Sequence, residues 1–92
     1  MKRTREEVYA LIDQERAYQT KWDLTNYPGR VKDADKEVVT WLSSMRVYLR
    51  KSEEAALSVD KTEALENIRK VLGLGVACLE HHGGPSREQP VI

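Results

Sequence analysis

Asp35–Leu57, DKEVVTWLSSMRVYLRKSEEAAL, decides the fold. Val38, Trp41, Leu42, Met45, Tyr48, Leu49, Ser52, Ala55 and Ala56 recur in steps of three and four, the spacing that puts side chains on one face of an α-helix. No Gly or Pro interrupts the run, and Asp33 or Asp35 stands where a cap would accept from the free N–H groups of the first turn. The spacing therefore predicts a helix over about 35–57. Its apolar face needs a cover, because isolated helices of this length are marginal in water.

Two flanking segments can supply it. Upstream, Thr4-x-x-Glu7 has the form of a capping box, followed by Val8, Leu11, Ile12, Glu15, Tyr18 and Trp22 at helical spacing. This predicts a helix over about 4–22 with one carboxylate, Glu15, in its apolar row, where it must find a partner. A connection over 23–34 contains the turn sequence Asn26-Tyr27-Pro28-Gly29. Downstream, a break at Ser58-Val59 precedes a second capping-box pattern, Asp60-x-x-Glu63, and an apolar row of Ala64, Leu65, Ile68, Val71, Leu72, Val76 and Leu79. A third helix is expected over about 60–82, ended by His81-His82-Gly83-Gly84-Pro85, with a tail over 83–92. Gly73 and Gly75 lie inside it, each costing about 0.5–1 kcal/mol against alanine, and close approach of a neighbouring helix is preferred over ligand access as the reason.

The expectation is one all-α domain over 1–92: an N-terminal helix plus a long antiparallel hairpin, oligomerising into a helical bundle. Composition agrees. The 92 residues are 40% hydrophobic and 33% charged with no Phe, which argues against disorder and all-β folds. Fifteen basic and fifteen acidic residues cancel, so general attraction to duplex nucleic acid or to a membrane surface is not expected, although a local cationic patch can hold a small anion. No run approaches the roughly 20 apolar residues of a membrane span, and the first residues do not form a signal peptide. Cys78 cannot form an intrachain disulfide and reads as a small buried hydrophobe. Together these predict a cytoplasmic protein, and so small a core favours a homo-oligomer.

Two clusters carry candidate chemistry. Glu15, Arg16, Tyr18, Gln19, Lys21 and Trp22 close the first helix, and Arg46, Arg50 and Lys51, with Tyr48 among them, lie on the second. Cations grip phosphates while aromatic faces stack on bases for about 1–3 kcal/mol each. Glu53, Glu54, Glu63 and Glu66 flank the break between the second and third helices and form a weaker candidate for a metal site. Carboxylates beside a helix start are also favoured by the helix dipole alone. The His81-His82 pair reads as a helix end rather than a metal site, because neighbours on a helix diverge by about 100°. Phosphate loops, serine-nucleophile elbows and Cys-x-x-Cys are absent from the sequence.

Glu15, Arg16, Gln19, Lys21 and Trp22, then Glu37, Trp41 and Leu42, then ENIRKVLGLGVACLE over 66–80 resemble the small phage MazG-like proteins of the all-α nucleoside triphosphate pyrophosphohydrolase superfamily. The resemblance spans most of the chain. It implies carboxylates one turn apart on two facing helices, holding magnesium against a triphosphate. This sequence departs there: Arg46, Arg50 and Lys51 occupy the turns of the second helix, and Arg69 and Lys70 follow Glu63 and Glu66 on the third. Cations in those positions repel magnesium and attract phosphate. In size and organisation the chain is also similar to phage anti-defence sponge proteins, helical oligomers that sequester cyclic nucleotide signals of bacterial immunity. The resulting expectation is a non-catalytic nucleotide-binding homo-oligomer without a cofactor, in the host cytoplasm if phage-encoded. A magnesium-dependent pyrophosphohydrolase and a helical structural adaptor are the alternatives.

Overall fold

The computed structural model describes residues 1–23, 29 and 31–87. Among them are three α-helices, α1 (Arg5–Asp23), α2 (Val38–Ala55) and α3 (Thr62–His82), with a one-turn 3-10 helix at Asp33–Asp35 and no strand. No described helix is long and apolar enough to cross a membrane.

The Thr4 box forms as expected: the Thr4 N–H donates to Glu7 Oε1 at 2.9 Å and the Glu7 N–H donates to Thr4 Oγ1 at 3.2 Å. Those bonds, the one from the Thr4 backbone first, hold the Glu7 carboxyl below its ordinary value. At the start of α3 the pattern is used differently. Asp60 Oδ1 accepts from the Thr62 N–H at 2.9 Å and from the Thr62 hydroxyl at 2.7 Å, a local Asx turn in place of a reciprocal bond with Glu63. The Thr62 hydroxyl and then its N–H lower the Asp60 pKa.

The second helix starts three residues later than its periodicity suggests. Asp33 is buried, its N–H donates to Asp23 Oδ1 at 2.7 Å, and its carboxylate accepts from Lys36 Nζ at 3.0 Å. These bonds tie the 3-10 turn to the end of α1, and Lys36 and Glu37 run extended or nearly so before Val38. Of the expected Asn26–Gly29 turn only Gly29 is described, with φ of 83°; the remainder and residues 88–92 lie outside the described residues. The third helix ends as read, at His82, where Gly83 takes φ of 71° and donates its N–H to the Leu79 carbonyl at 2.8 Å.

α3 is the central element, packing on α2 along most of its length and on α1 from Arg69 to Glu80. Ser52 donates to the Ala64 carbonyl at 2.8 Å, Met45 lies beside Gly75, and Trp41 stacks on His81, so partners on α3 descend in number as those on α2 ascend. The three helices make a thin body, 41 × 38 × 22 Å. Its apolar core is small: among the described residues the buried hydrophobic side chains are Trp41, Ala64 and Ala77. Cys78 is half-buried rather than buried.

Gly73 explains the close approach of α1. A Cβ there would lie 2.7 Å from Glu15 Cγ and 2.8 Å from Gln19 Nε2, distances real side chains do not tolerate. Gly75 is different, because its Cβ would meet only Met45 Cε, at 3.6 Å.

Candidate functional site

A cleft of about 810 Å³ opens between α1, α2 and α3. From α1 come Gln14, Glu15, Tyr18, Gln19 and Trp22; from α2, Trp41, Ser44 and Tyr48; from α3, Arg69, Lys70 and Leu74, with Asp33 and Lys36 closing one end. The size suits a ligand the size of a nucleotide.

The floor is an ionic knot. Glu15 is only 6% exposed, yet both of its oxygens are engaged. Arg69 Nε donates to Oε1 at 2.9 Å and Gln19 Nε2 donates to Oε2 at 3.2 Å. Gln19 Nε2 also donates to the Lys70 carbonyl at 3.3 Å, so its amide staples α1 to α3 beside Gly73. This is the partner that the sequence demanded for Glu15, and it is Arg69 rather than the adjacent Arg16. At the closed end Asp33 pairs with Lys36, whose Nζ also sits 4.5 Å above the Trp41 ring. His82 Nε2 donates to the Lys36 carbonyl at 2.7 Å, fixing the residue that carries this ammonium.

The walls are aromatic. Tyr18 and Trp22 continue the apolar row of α1, but the structure leaves them 52% and 46% exposed, in edge-to-face contact at 6.1 Å. They line the cleft, whereas Glu15 and Gln19 of the same helix take the space beside Gly73. Trp41 is the opposite case, 1% exposed and core as its periodicity predicts. Tyr48 completes the lining, with the Lys51 and Lys70 ammonium groups 5.2 and 5.3 Å from its ring centre.

Four of the residues singled out from sequence, Glu15, Tyr18, Gln19 and Trp22, therefore meet in the cleft. The others do not line it. Arg16 turns to Glu80, its Nε donating to Oε1 at 2.7 Å. Lys21 is exposed on the last turn of α1. Arg46, Arg50 and Lys51 line a separate, shallower depression of about 320 Å³ with Val47 and Glu54. The reason is angular: at about 100° per residue, Arg46 and Arg50 point away from the α2 face that carries Trp41 and Tyr48. Lys51 touches the cleft only through Tyr48.

The four-carboxylate candidate does not assemble. Glu53, Glu54, Glu63 and Glu66 are all exposed, and no three His, Cys, Asp or Glu side chains gather to hold a metal ion among the described residues. Glu53 and Glu54 are neighbours on a helix and point in different directions.

The cations that do reach the cleft, Lys36, Arg69 and Lys70, were legible only in part. Arg69 and Lys70 stand out in sequence as replacements for metal ligands, and the carboxylate in the apolar row of α1 was the signal that one cation must meet it. Nothing in the pattern flags Lys36. Comparison with protein-family models, curated proteins and solved structures finds no match to this chain.

Proposed function

We propose that the chain is a non-catalytic nucleotide-binding protein, a homo-oligomer whose subunits are an N-terminal helix on an antiparallel hairpin, sequestering a cyclic or signalling nucleotide as phage anti-defence sponges do. The observation that carries this reading is the meeting, in one cleft, of half-exposed Tyr18 and Trp22 and the more buried Tyr48 with Lys36, Arg69 and Lys70. The aromatic rings offer faces for a base and the cations offer donors for phosphate oxygens.

Charge favours sequestration over triphosphate hydrolysis. The cleft holds three cations against two carboxylates, Glu15 and Asp33, each already paired. A nucleoside triphosphate carries about four negative charges, and every uncompensated charge at contact distance costs about 1–4 kcal/mol between bulk-water and near-surface screening. A cyclic dinucleotide, with two, comes close to balance.

The test is incubation of the purified chain with nucleoside triphosphates and with cyclic mono- and oligonucleotides, with and without magnesium, followed by heat release and product analysis. Recovery of intact ligand after tight binding is expected. Release of pyrophosphate overturns the proposal in favour of a MazG-like enzyme, and no binding leaves the structural adaptor.

A further inference from the structure

We infer that the face opposite the cleft docks a second copy of the chain, related by a two-fold axis that passes near Leu72. Leu65, Ile68, Leu72 and Leu79 fall within about 60° around α3, on the side roughly opposite Lys70 and Leu74 of the cleft. On α2, Leu42 and Leu49 lie more than about 90° round from Ser44 and Tyr48, the two cleft residues of that helix's rim. Met45, one turn from both leucines, brings its Cε to 3.6 Å from where a Gly75 Cβ would sit, and Gly75 is one turn from both Leu72 and Leu79. The two rows are therefore one continuous patch.

All six side chains are 42–63% exposed, although their spacing is that of core residues. No charged residue falls in the α3 row between Leu65 and Leu79. The exposed parts amount to on the order of 500 Å², close to the apolar share, about 65%, of the roughly 800 Å² that each partner buries in a standard homodimer interface. That lies within the range of about 300–600 Å² for the largest patch on a monomer, a patch that is often functional.

Three observations name the occupant as a second copy. Among the described residues only Trp41, Ala64 and Ala77 are buried hydrophobic side chains, and so small a core favours further burial against a second copy. The formal charge is zero, so two copies do not repel each other as wholes. The row steps by three, four and seven residues, the spacing that packs against its own image with knobs in holes.

This arrangement puts the two clefts on outward faces, each built from one chain. It goes beyond the nucleotide reading and does not depend on it. If the dimer forms and nucleotides fail to bind, only the functional proposal falls.

Sedimentation equilibrium of the full chain across a micromolar concentration series tests it, with helicity followed by circular dichroism. A dimer is expected, and the Leu65→Glu/Leu72→Lys double variant should raise its dissociation constant at least tenfold, whereas Arg50→Glu on the outer face of α2 should not. Should the double variant unfold, Leu72→Cys in a Cys78→Ser background decides: mild oxidation is expected to trap a symmetric disulfide dimer. A wild-type monomer throughout the series, a dimer that survives the double variant, or failure of the Leu72→Cys variant to cross-link overturns the inference.

Discussion

Gly73→Ala and Gly75→Ala should move stability in opposite directions, although the two glycines sit two residues apart in the same helix. In α3 either change gains helix propensity, about 0.8–1.0 kcal/mol. At Gly75 little opposes it, because the new methyl meets only Met45 Cε at 3.6 Å, ordinary contact with the end of a flexible side chain. At Gly73 the methyl would sit 2.7 Å from Glu15 Cγ and 2.8 Å from Gln19 Nε2. Neither neighbour is free to move: Glu15 is pinned by Arg69 and Gln19 spans Glu15 and the Lys70 carbonyl. Overpacking of this kind costs about 1–3 kcal/mol, and displacing Gln19 forfeits two hydrogen bonds of about 1 kcal/mol each. The net for Gly73→Ala is a loss of about 2–4 kcal/mol. For a domain of this size each kcal/mol moves Tm by about 4–8 °C. Thermal unfolding followed by circular dichroism should show Gly75→Ala a few degrees above wild type and Gly73→Ala about 8–30 °C below it. A rise in Tm for both variants would refute the close α1–α3 approach on which the cleft depends.

Arg69→Ala leaves Glu15 buried with only Gln19 as donor, and because Arg69 is itself well exposed the loss should be about 1–3 kcal/mol, partly restored by adding Glu15→Gln in chemical denaturation. Arg16→Ala, whose partner Glu80 is half exposed, should cost less than about 1 kcal/mol in the same assay. Ser52→Ala removes the buried hydroxyl that donates to the Ala64 carbonyl and should lower stability by about 1 kcal/mol through the junction of α2 and α3. Glu7 and Asp60 have folded pKa values depressed below the ordinary 4.5 and 3.8, so their contributions are full above those values and are lost as pH falls through the depressed ones. Carboxyl-carbon NMR titration should find both low; Thr62→Ala removes the larger donor to Asp60 and should raise it the more, whereas Thr4→Ala should raise Glu7 only in part, because the residue 4 N–H remains.

Local signals were readable where the partner of a residue lies within one turn, except at Asp60, which bonds Thr62 in place of Glu63. The Thr4–Glu7 cap and the Gly83 stop are of that kind, and so is the single apolar face of α2. The start of α2 was not, because Asp33 is drawn into a 3-10 turn by Asp23, ten residues away, and local propensity does not see that bond. Tyr18 and Trp22 show the same limit from the other side. Their spacing is that of core residues, but it is Glu15 and Gln19 that meet α3, at Gly73, and Tyr18 and Trp22 stand about half exposed along the cleft. The cations divided by register: Arg69 and Lys70 face α1, whereas Arg46 and Arg50 face away, and only the angular setting of each helix distinguishes them.

Calorimetric titration of the chain and three variants with cyclic nucleotides tests the central claim most directly. The account predicts one intact ligand per chain for wild type, affinity reduced at least tenfold by Lys70→Ala and by Trp22→Ala, and affinity unchanged by Arg50→Ala. Binding that survives both cleft variants but is lost with Arg50→Ala would place the ligand on the outer face of α2 and contradict it.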